Sequence, residues 1–500
     1  MSRILLVCRL VLGVVLLAIL TLGMKLGLEY WNESERDRLA ASVQMPPDIF
    51  GGDAPRRRNG TFDFAGALNE RMSDGVTKEN NAAIPLLRIV LWEDKQPVAL
   101  RDATLRALRV TEKEAPSIKT VTLGQFLLSR NAWDLRTTVP GSGYFGPQLP
   151  EKYHQLIHDW VDLQQPVLDI VAEAARKSQF ALPFVNWDDE QPLRLQQLSL
   201  VPHLTELSCV SASVEMERGN VRSALDRVLD GHHLTRLMLR DPTRIQVTSG
   251  LWDESEFLRM EELLIRSGRL SEEDCTHFLL RLQQLPVTPR VWEVLDVGYR
   301  VWLVDEFLGY QVLRLPAYSG DVFAPYSVRL PRSFTDIPNM VTFHSPPPQL
   351  ENPNENLAAL MDMMTQFVNA MKRDELVLLR EINPLDLNLK DLPEIASTWC
   401  RPIAMHCDTA RDRMVANDIR LQLIKLCLHV EVFRHQSGRL PHHLGELSSE
   451  DVSTLLVDPY GDGPIRYRSQ EGLYRVYSVG RNGPDEEVPN YGIFAGTSLK

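Results

Sequence analysis

Val415-Ala-Asn-Asp-Ile419-Arg-Leu-Gln-Leu423-Ile-Lys-Leu426-Cys-Leu-His-Val430-Glu-Val-Phe433-Arg-His-Gln-Ser-Gly438 decides the fold at the C-terminal end of this chain. Val415, Ile419, Leu423, Leu426, Val430 and Phe433 step by fours and threes, so they form one apolar stripe on a helix of several turns. Gly438 can supply a left-handed C-cap, and Pro441 stops the helix from continuing. After Gly438 the period changes. Ile465-Arg-Tyr-Arg and Leu473-Tyr-Arg-Val-Tyr-Ser-Val alternate as strands do, with Gln470-Glu471-Gly472 as the turn between them. The expectation is a long helix packed on a small antiparallel sheet, a compact α+β module over 414–500.

Upstream of this module the pattern is helical. From Glu79 a helix is expected, with Pro85 tolerable only near its first turns. Helical pattern dominates from Glu151 to about Leu315. Ala212, Gly219 and Ala224 have the spacing of a tetratricopeptide-like helix pair, in which small residues let two helices approach. Gly268 followed by Ser271 reads as a helix stop and a new N-cap. The predicted fold class is therefore mainly α, either an irregular bundle or a helical array of tetratricopeptide-like pairs, over 61–315. Residues 316–356 hold eight prolines and predict an extended connection. Helix resumes over 357–413.

The N-terminus points to a membrane. Leu10–Met24 is fifteen uninterrupted apolar or small residues, with only Thr21 mildly polar. If Lys25 snorkels, the stretch to Leu28 spans roughly 28 Å, close to a bilayer's hydrocarbon core. Arg3 and Arg9 precede it, while Glu29, Glu33, Glu35 and Asp37 follow. The positive-inside rule then places the N-terminus in the cytoplasm and the bulk outside. This reading makes 1–28 a single-pass signal-anchor and 29–60, broken by Pro46-Pro47, Gly51-Gly52 and Pro55, a linker. A cleaved signal peptide is the other reading, although Thr21-Leu22-Gly23 is a poor small-x-small cleavage site.

Composition narrows the functional classes. The chain has 500 residues, enough for two or three folding units, and a net charge of −12. Removing Arg3, Arg9 and Lys25 leaves 26–500 at −15, which argues against nucleic acid as a partner. Six cysteines are too few for a disulfide scaffold. Five follow the apolar stretch. Of these, Cys400 and Cys407 could pair in an oxidising compartment, or all could be isolated buried thiols.

Ala416-Asn-Asp-Ile419, Phe433-Arg-His-Gln-Ser-Gly438-Arg-Leu-Pro441, Leu444-Gly-Glu-Leu447, Asp458-Pro-Tyr-Gly461, Ile465-Arg-Tyr467 and Tyr477-Ser-Val-Gly-Arg-Asn-Gly483 occur in that order. Residues 414–490 thereby resemble the globular part of the major pseudopilin of type II secretion systems. The short leader and membrane-proximal Glu of that family are absent before Leu10, so pilus-like assembly is not implied. The whole chain is similar in plan to membrane-anchored bacterial envelope proteins with a helical middle. The pseudopilin resemblance implies calcium in the loop after β-strand Tyr477-Ser-Val. There Asn482, Asp485, Glu486 and Glu487 are the candidate ligands, since calcium wants six to eight oxygens. Asn482 stands where the family has Asp, and a Gly-rich continuation is missing, so a solvated acidic loop is the other reading. No other cofactor is expected.

Further motifs are weaker. Gly141-Ser-Gly143-Tyr-Phe-Gly146 fits the dinucleotide fingerprint literally, but Pro140 and Pro147 flank it and indicate a loop. His154 and His158, with Glu151 and Asp162 nearby, have a spacing that zinc could use, yet Gln155 stands where a metalloprotease has Glu. Asp458-x-Tyr460-x-Asp462-Gly463 starts like an EF-hand but ends in Ser469, not a bidentate Glu. His232-His233 and His442-His443 lack companions at metal spacing. No Gly-x-Ser-x-Gly elbow exists. The expected function is a single-span, envelope-anchored scaffold or binding protein. The alternatives are a hydrolase-like envelope enzyme with a scattered site and a secretion-system accessory.

Overall fold

The computed structural model describes residues 63–90, 98–131 apart from 117 and 119, 153–184, 201–300 apart from 242 and 243, 353–373, 394–447, 450–458, 463–479 and 491–495. Its helices are α1 (Phe64–Met72), α2 (Ala83–Val90), α3 (Val98–Ala107), α4 (Leu123–Ser129), α5 (His154–Leu163), α6 (Gln165–Ala175), α7 (Val201–Glu217), α8 (Val221–Met238), α9 (Arg244–Arg266), α10 (Glu272–Gln283), α11 (Val291–Val294), α12 (Pro353–Arg373), α13 (Glu394–Ser437) and α14 (Glu450–Leu455). Strands β1 (Arg466–Gln470), β2 (Leu473–Ser478) and β3 (Tyr491–Ala495) follow, in the order β1-β2-β3 with antiparallel neighbours. The molecule is mainly helical with a small C-terminal antiparallel sheet, as the periodicity predicts. Among the described residues no helix is long and apolar enough to cross a membrane. Leu10–Met24 and the linker 29–60 lie outside those residues.

The punctuation works as read. Gly219, Gly268 and Gly438 take positive φ (82°, 63° and 69°) where helices end. Ser271 caps α10 in a capping box with Asp274. The β1–β2 turn is Glu471-Gly472, both with positive φ (52° and 80°).

Two boundaries differ from expectation. Helix α2 starts at Ala83, not Glu79, because residues 79–82 pair with the segment after α6. Gln179 N donates to Asn80 O at 3.0 Å and Ala82 N donates to Gln179 O at 2.8 Å. Buried Asn81 completes the junction, accepting from Ala83 N and Ala181 N at 3.0 Å each. The long C-terminal helix starts at Glu394, well before Ala416. Its first half hides from pattern reading because Arg411, Asp412 and Arg413 interrupt the apolar stripe and Pro402 looks like a breaker. At 44 residues α13 is roughly 66 Å long.

Two apolar cores share helices α7 and α8. The first gathers Leu87, Phe126, Trp160, Leu168 and Val171 with Leu207 and Val210 of α7 and Leu237 of α8. The second gathers Ala212 and Met216 of α7, Leu225 and Leu229 of α8, Phe257 of α9, Phe278 of α10, Ile419 to Val430 of α13, and Tyr474 and Val476 of β2. Residues 209–285 and 419–476 thus bury each other's apolar surface. Helices α7, α8 and α9 are interior. Their exposed described residues are only the terminal Glu217 and Arg266. A helix enclosed on all sides should be apolar all round, and α7 to α9 are not. That discrepancy locates the most unusual chemistry in the chain.

Candidate functional site

His232 on α8 is fully buried, and each ring nitrogen faces a carboxylate of α9. Its Nδ1 is 2.7 Å from Glu261 Oε1 and its Nε2 is 3.4 Å from Glu254 Oε1. One turn on, Arg236 Nε donates to the same Glu254 oxygen at 2.6 Å. Spacing explains this pairing: residues 232 and 236 share one face of α8, and 254 and 261 share one face of α9. The second Glu254 oxygen accepts from Asn417 Nδ2 on α13 at 3.1 Å. Asn417 Nδ2 also donates to Leu251 O at 2.9 Å, and Asn417 Oδ1 lies 2.8 Å from Ser255 Oγ. Arg413, one turn before Asn417, stacks on Trp252 with its guanidinium carbon 3.1 Å from the ring centroid. Phe257 lies flat against His232, centroids 6.1 Å apart and planes within 4°.

Electrostatics fix the protonation states. Burial alone would push His232 down, but the charge of Glu261 and hydrogen bonds to Glu254 and Glu261 outweigh it, so its pKa is raised. Burial alone would push Glu254 up. The charge of Arg236 and the hydrogen bond to His232 instead hold it at about 2. Glu254 and Glu261 thus face His232 and Arg236 across the α8–α9 interface, with Asp418 of α13 3.9 Å from Arg236 Nη2. Half-buried Lys425, on the same stretch of α13, is held below its ordinary value by burial and by the charge of Arg236. Asp253 beside Glu254 differs. Its side chain faces Thr205 on α7, and burial pushes its pKa to about 8, with the Thr205 hydrogen bond opposing and the charge of Glu256 adding. At neutral pH Asp253 is therefore mostly a neutral acid.

This network ties α8, α9 and α13 together by directional bonds. A buried polar set of this kind defines which residues must face one another, although Glu261 Oε2 and Arg236 Nη2 have no hydrogen-bond partner among the described residues. It is enclosed, so its groups act on one another. The cysteines of the described core are equally unavailable for chemistry. Burial raises Cys209 and Cys427 well above the usual thiol value and Cys275 to about 12, so all three are thiols and not thiolates.

The residues singled out from sequence fare differently. Asn482, Asp485, Glu486 and Glu487 lie outside the described residues, as do Gly141 to Gly146, Glu151, Tyr460 and Asp462. His154 and His158 converge on one carboxylate of α7, with His158 Nε2 2.9 Å and His154 Nδ1 3.5 Å from Glu217 Oε2. Asp162 is held instead by Arg218, at 2.9 and 3.0 Å. Among the described residues no group of three or more His, Cys, Asp or Glu is disposed to hold a metal. Asp458 is buried and clamps the end of β2, accepting from Ser478 Oγ at 2.7 Å and Val479 N at 2.9 Å. Of the His-His pairs, His232 enters the ion network, while His442 contributes its backbone N–H to Glu446 at 2.7 Å. Cys400 and Cys407 fall on the continuous helix α13. Seven helical residues separate them by about 10 Å along the axis, too far for a disulfide.

Glu254, Glu261, Arg236 and Asn417 were not identifiable as a site from sequence. The available signal was a charged i, i+4 pair on α8 and carboxylates seven apart on α9, inside helices that carry many other charged residues. An open cleft of about 410 Å³, lined by Glu79, Asn80, Glu173, Arg176, Lys177 and Ser178, sits at the end of α6, away from this network. Lys177 Nζ donates there to Glu79 O at 2.7 Å. No protein-family model, curated protein or solved structure matches the chain.

Proposed function

We propose that this chain is an envelope-anchored scaffold or binding protein, held by one N-terminal span with its bulk outside the cytoplasm. The observation that carries the reading is the interior ion network. His232 and Arg236 of α8, Glu254 and Glu261 of α9 and Asn417 of α13 bond across the three helices and build a rigid frame. Leu10–Met24 with its flanking charges supplies the anchor. The enclosure of α7 to α9 favours an irregular bundle over an open tetratricopeptide-like array, although Ala212 and Ala224 are both fully buried beside Gly219, as a close helix pair requires.

A role as a secretion accessory draws support from one feature, the way the end of α13 meets the sheet. Tyr474 Oη donates to Cys427 O at 3.1 Å, and Gly438 caps the helix in the left-handed region. Gly438 belongs to the motifs that resemble a pseudopilin, and Cys427 and Tyr474 lie between them.

Topology is tested directly. Alkaline phosphatase fused after Trp31 should be active in a bacterial host, and a cytoplasmic reporter at the same point inactive. Mass spectrometry should find the N-terminal segment intact. The reverse reporter pattern overturns the envelope assignment.

A further inference from the structure

On the β1–β2 hairpin, Tyr474, Val476 and Ser478 point inward and are buried, so Leu473, Arg475 and Tyr477 point outward. The register sets Arg466 opposite Tyr477, Arg468 opposite Arg475 and Gln470 opposite Leu473, all on that outer face. Both Arg468 and Arg475 lie over the Tyr477 ring, their guanidinium carbons 5.9 and 4.8 Å from its centroid. Arg466 and Arg468 are exposed and, among the described residues, take part in no ion pair. Leu473 is 49% exposed. Glu471, at the tip, is the one acidic residue between 463 and 479. A chain of net charge −12 thus presents a local cationic face with tyrosine at its centre.

Charged residues on a short edge strand can simply guard it against pairing. Guarding needs charge on β1 alone. Here the central strand also carries Arg475 directly opposite Arg468, and like charges opposite each other destabilise a sheet. Arginine and tyrosine are also the residues that dominate protein interfaces. Burial lowers the pKa of Arg475, and the neighbouring Arg468 adds to the effect.

We propose that this face and the outer edge of β1 dock an extended acidic segment of a partner protein. The segment adds as a strand beside β1, which over Arg466–Gln470 has a strand neighbour on one side only; residues 456–458 pair with 463–465 just before it. Acidic side chains at alternate positions then lie on one face, spaced about 6.8 Å, and meet Arg466 and Arg468 in charge-assisted bonds. The inference names a partner class for the binding reading above and rests on it.

The test uses the full chain in phosphatidylcholine nanodiscs and a fluorescein-labelled peptide of alternating Thr and Glu, about ten residues long. Saturable binding is expected, weakening with salt and by about tenfold or more in Arg466→Glu/Arg468→Glu. The Arg466→Ala/Arg468→Ala variant should show a smaller loss in the same direction. Both positions are exposed, so unchanged melting will confirm that the fold survives. A Pro/Glu peptide, with equal charge but half its amide donors removed, should bind far more weakly. Absent saturable binding, equal binding of the Pro/Glu peptide, or indifference to both variants would overturn the proposal. So would preferential capture of phosphatidylglycerol vesicles through the same arginines, which would make the face a lipid contact. A photo-crosslinker at Arg468 and another at exposed Leu280 separate the two readings. Adducts at Leu280 alone discard the hairpin and leave a binding protein. Peptide binding with an inactive phosphatase fusion discards the envelope and leaves the hairpin.

Discussion

The ring of Phe257 occupies the space that a side chain at residue 231 would need. A Cβ on Gly231 would fall 2.4 Å from Phe257 Cζ and 3.1 Å from Ser208 Oγ. The same ring lies flat on His232, so the absence of a side chain at 231 lets α8 and α9 approach and lets the buried imidazole reach both carboxylates.

Gly231→Ala should therefore destabilise the protein although alanine is the better helix former. Overpacking of this kind costs about 1–3 kcal/mol. Urea denaturation would measure it, and Phe257→Leu in the same chain should restore part of the loss. A neutral Gly231→Ala would mean that the helices have slack the structure does not show.

Breaking the ion network from one side leaves a charge buried alone. Arg236→Met and Glu254→Gln should each cost about 3–5 kcal/mol. The double variant should cost clearly less than their sum, because the two side chains bond each other. Additive losses in denaturant titrations would show that the pair is not coupled.

Stability should fall as pH rises, for two reasons with the same sign. Asp253 has a folded value of about 8 against about 3.9 unfolded, so the native state holds the extra proton between those limits. Its contribution is present below about pH 4 and is lost by about pH 8. His232, also raised, stabilises below about pH 6.5, its unfolded value, and loses that contribution as pH climbs through its folded value. Asp253→Asn should stabilise the protein at pH 8 by on the order of 2 kcal/mol or more, and flatten the slope below it. A variant whose pH profile overlays the parent's would show that Asp253 is ionised in the fold. Glu254, held at about 2, acts oppositely: its contribution is lost only as pH falls toward 2.

Leu426 and Phe433 share the stripe on α13, but they are not equally placed. Leu426 is fully buried, whereas Phe433 is only half-buried, with Arg439 5.2 Å above its ring. Leu426→Ala should cost about 2–5 kcal/mol, and Phe433→Ala about half as much or less. Thermal melting of the two variants checks the order, and a reversed order would mean that α13 is rotated about its axis.

What could be read beforehand was whatever rests on short-range signals. Gly219, Gly268, Gly438, Ser271 and the Glu471-Gly472 turn act within a few residues and were legible. The stripe Ile419-Leu423-Leu426-Val430 was legible too, but it suggested a helix with one buried face. In the structure Leu421, Ile424 and Leu428 are buried as well, because the other faces of α13 meet α9 and α10. Those faces carry Asn417 and Arg420, whose partners lie more than 100 positions away. A hydropathy pattern scores such residues as solvent-facing. The ion network was invisible for the same reason: each member looks like a surface charge until the helix bearing its counterpart is in place.

The second core has a consequence for the order in which the chain is made. Its halves, 209–285 and 419–476, are separated by a long stretch, of which the described residues contribute only Val415 at its margin. At about 5–20 residues per second, helices α7 to α10 emerge on the order of 10–40 s before α13 and β2 can cover them. During that interval Glu254 lacks Asn417, and the apolar faces of Leu258, Phe278 and Leu282 have nothing to close on. A nascent chain halted anywhere between 286 and 418 holds every helix of the α7–α10 group and still cannot complete its interior. Until residue 476 is made, the apolar surface of 209–285 waits uncovered for 419–476.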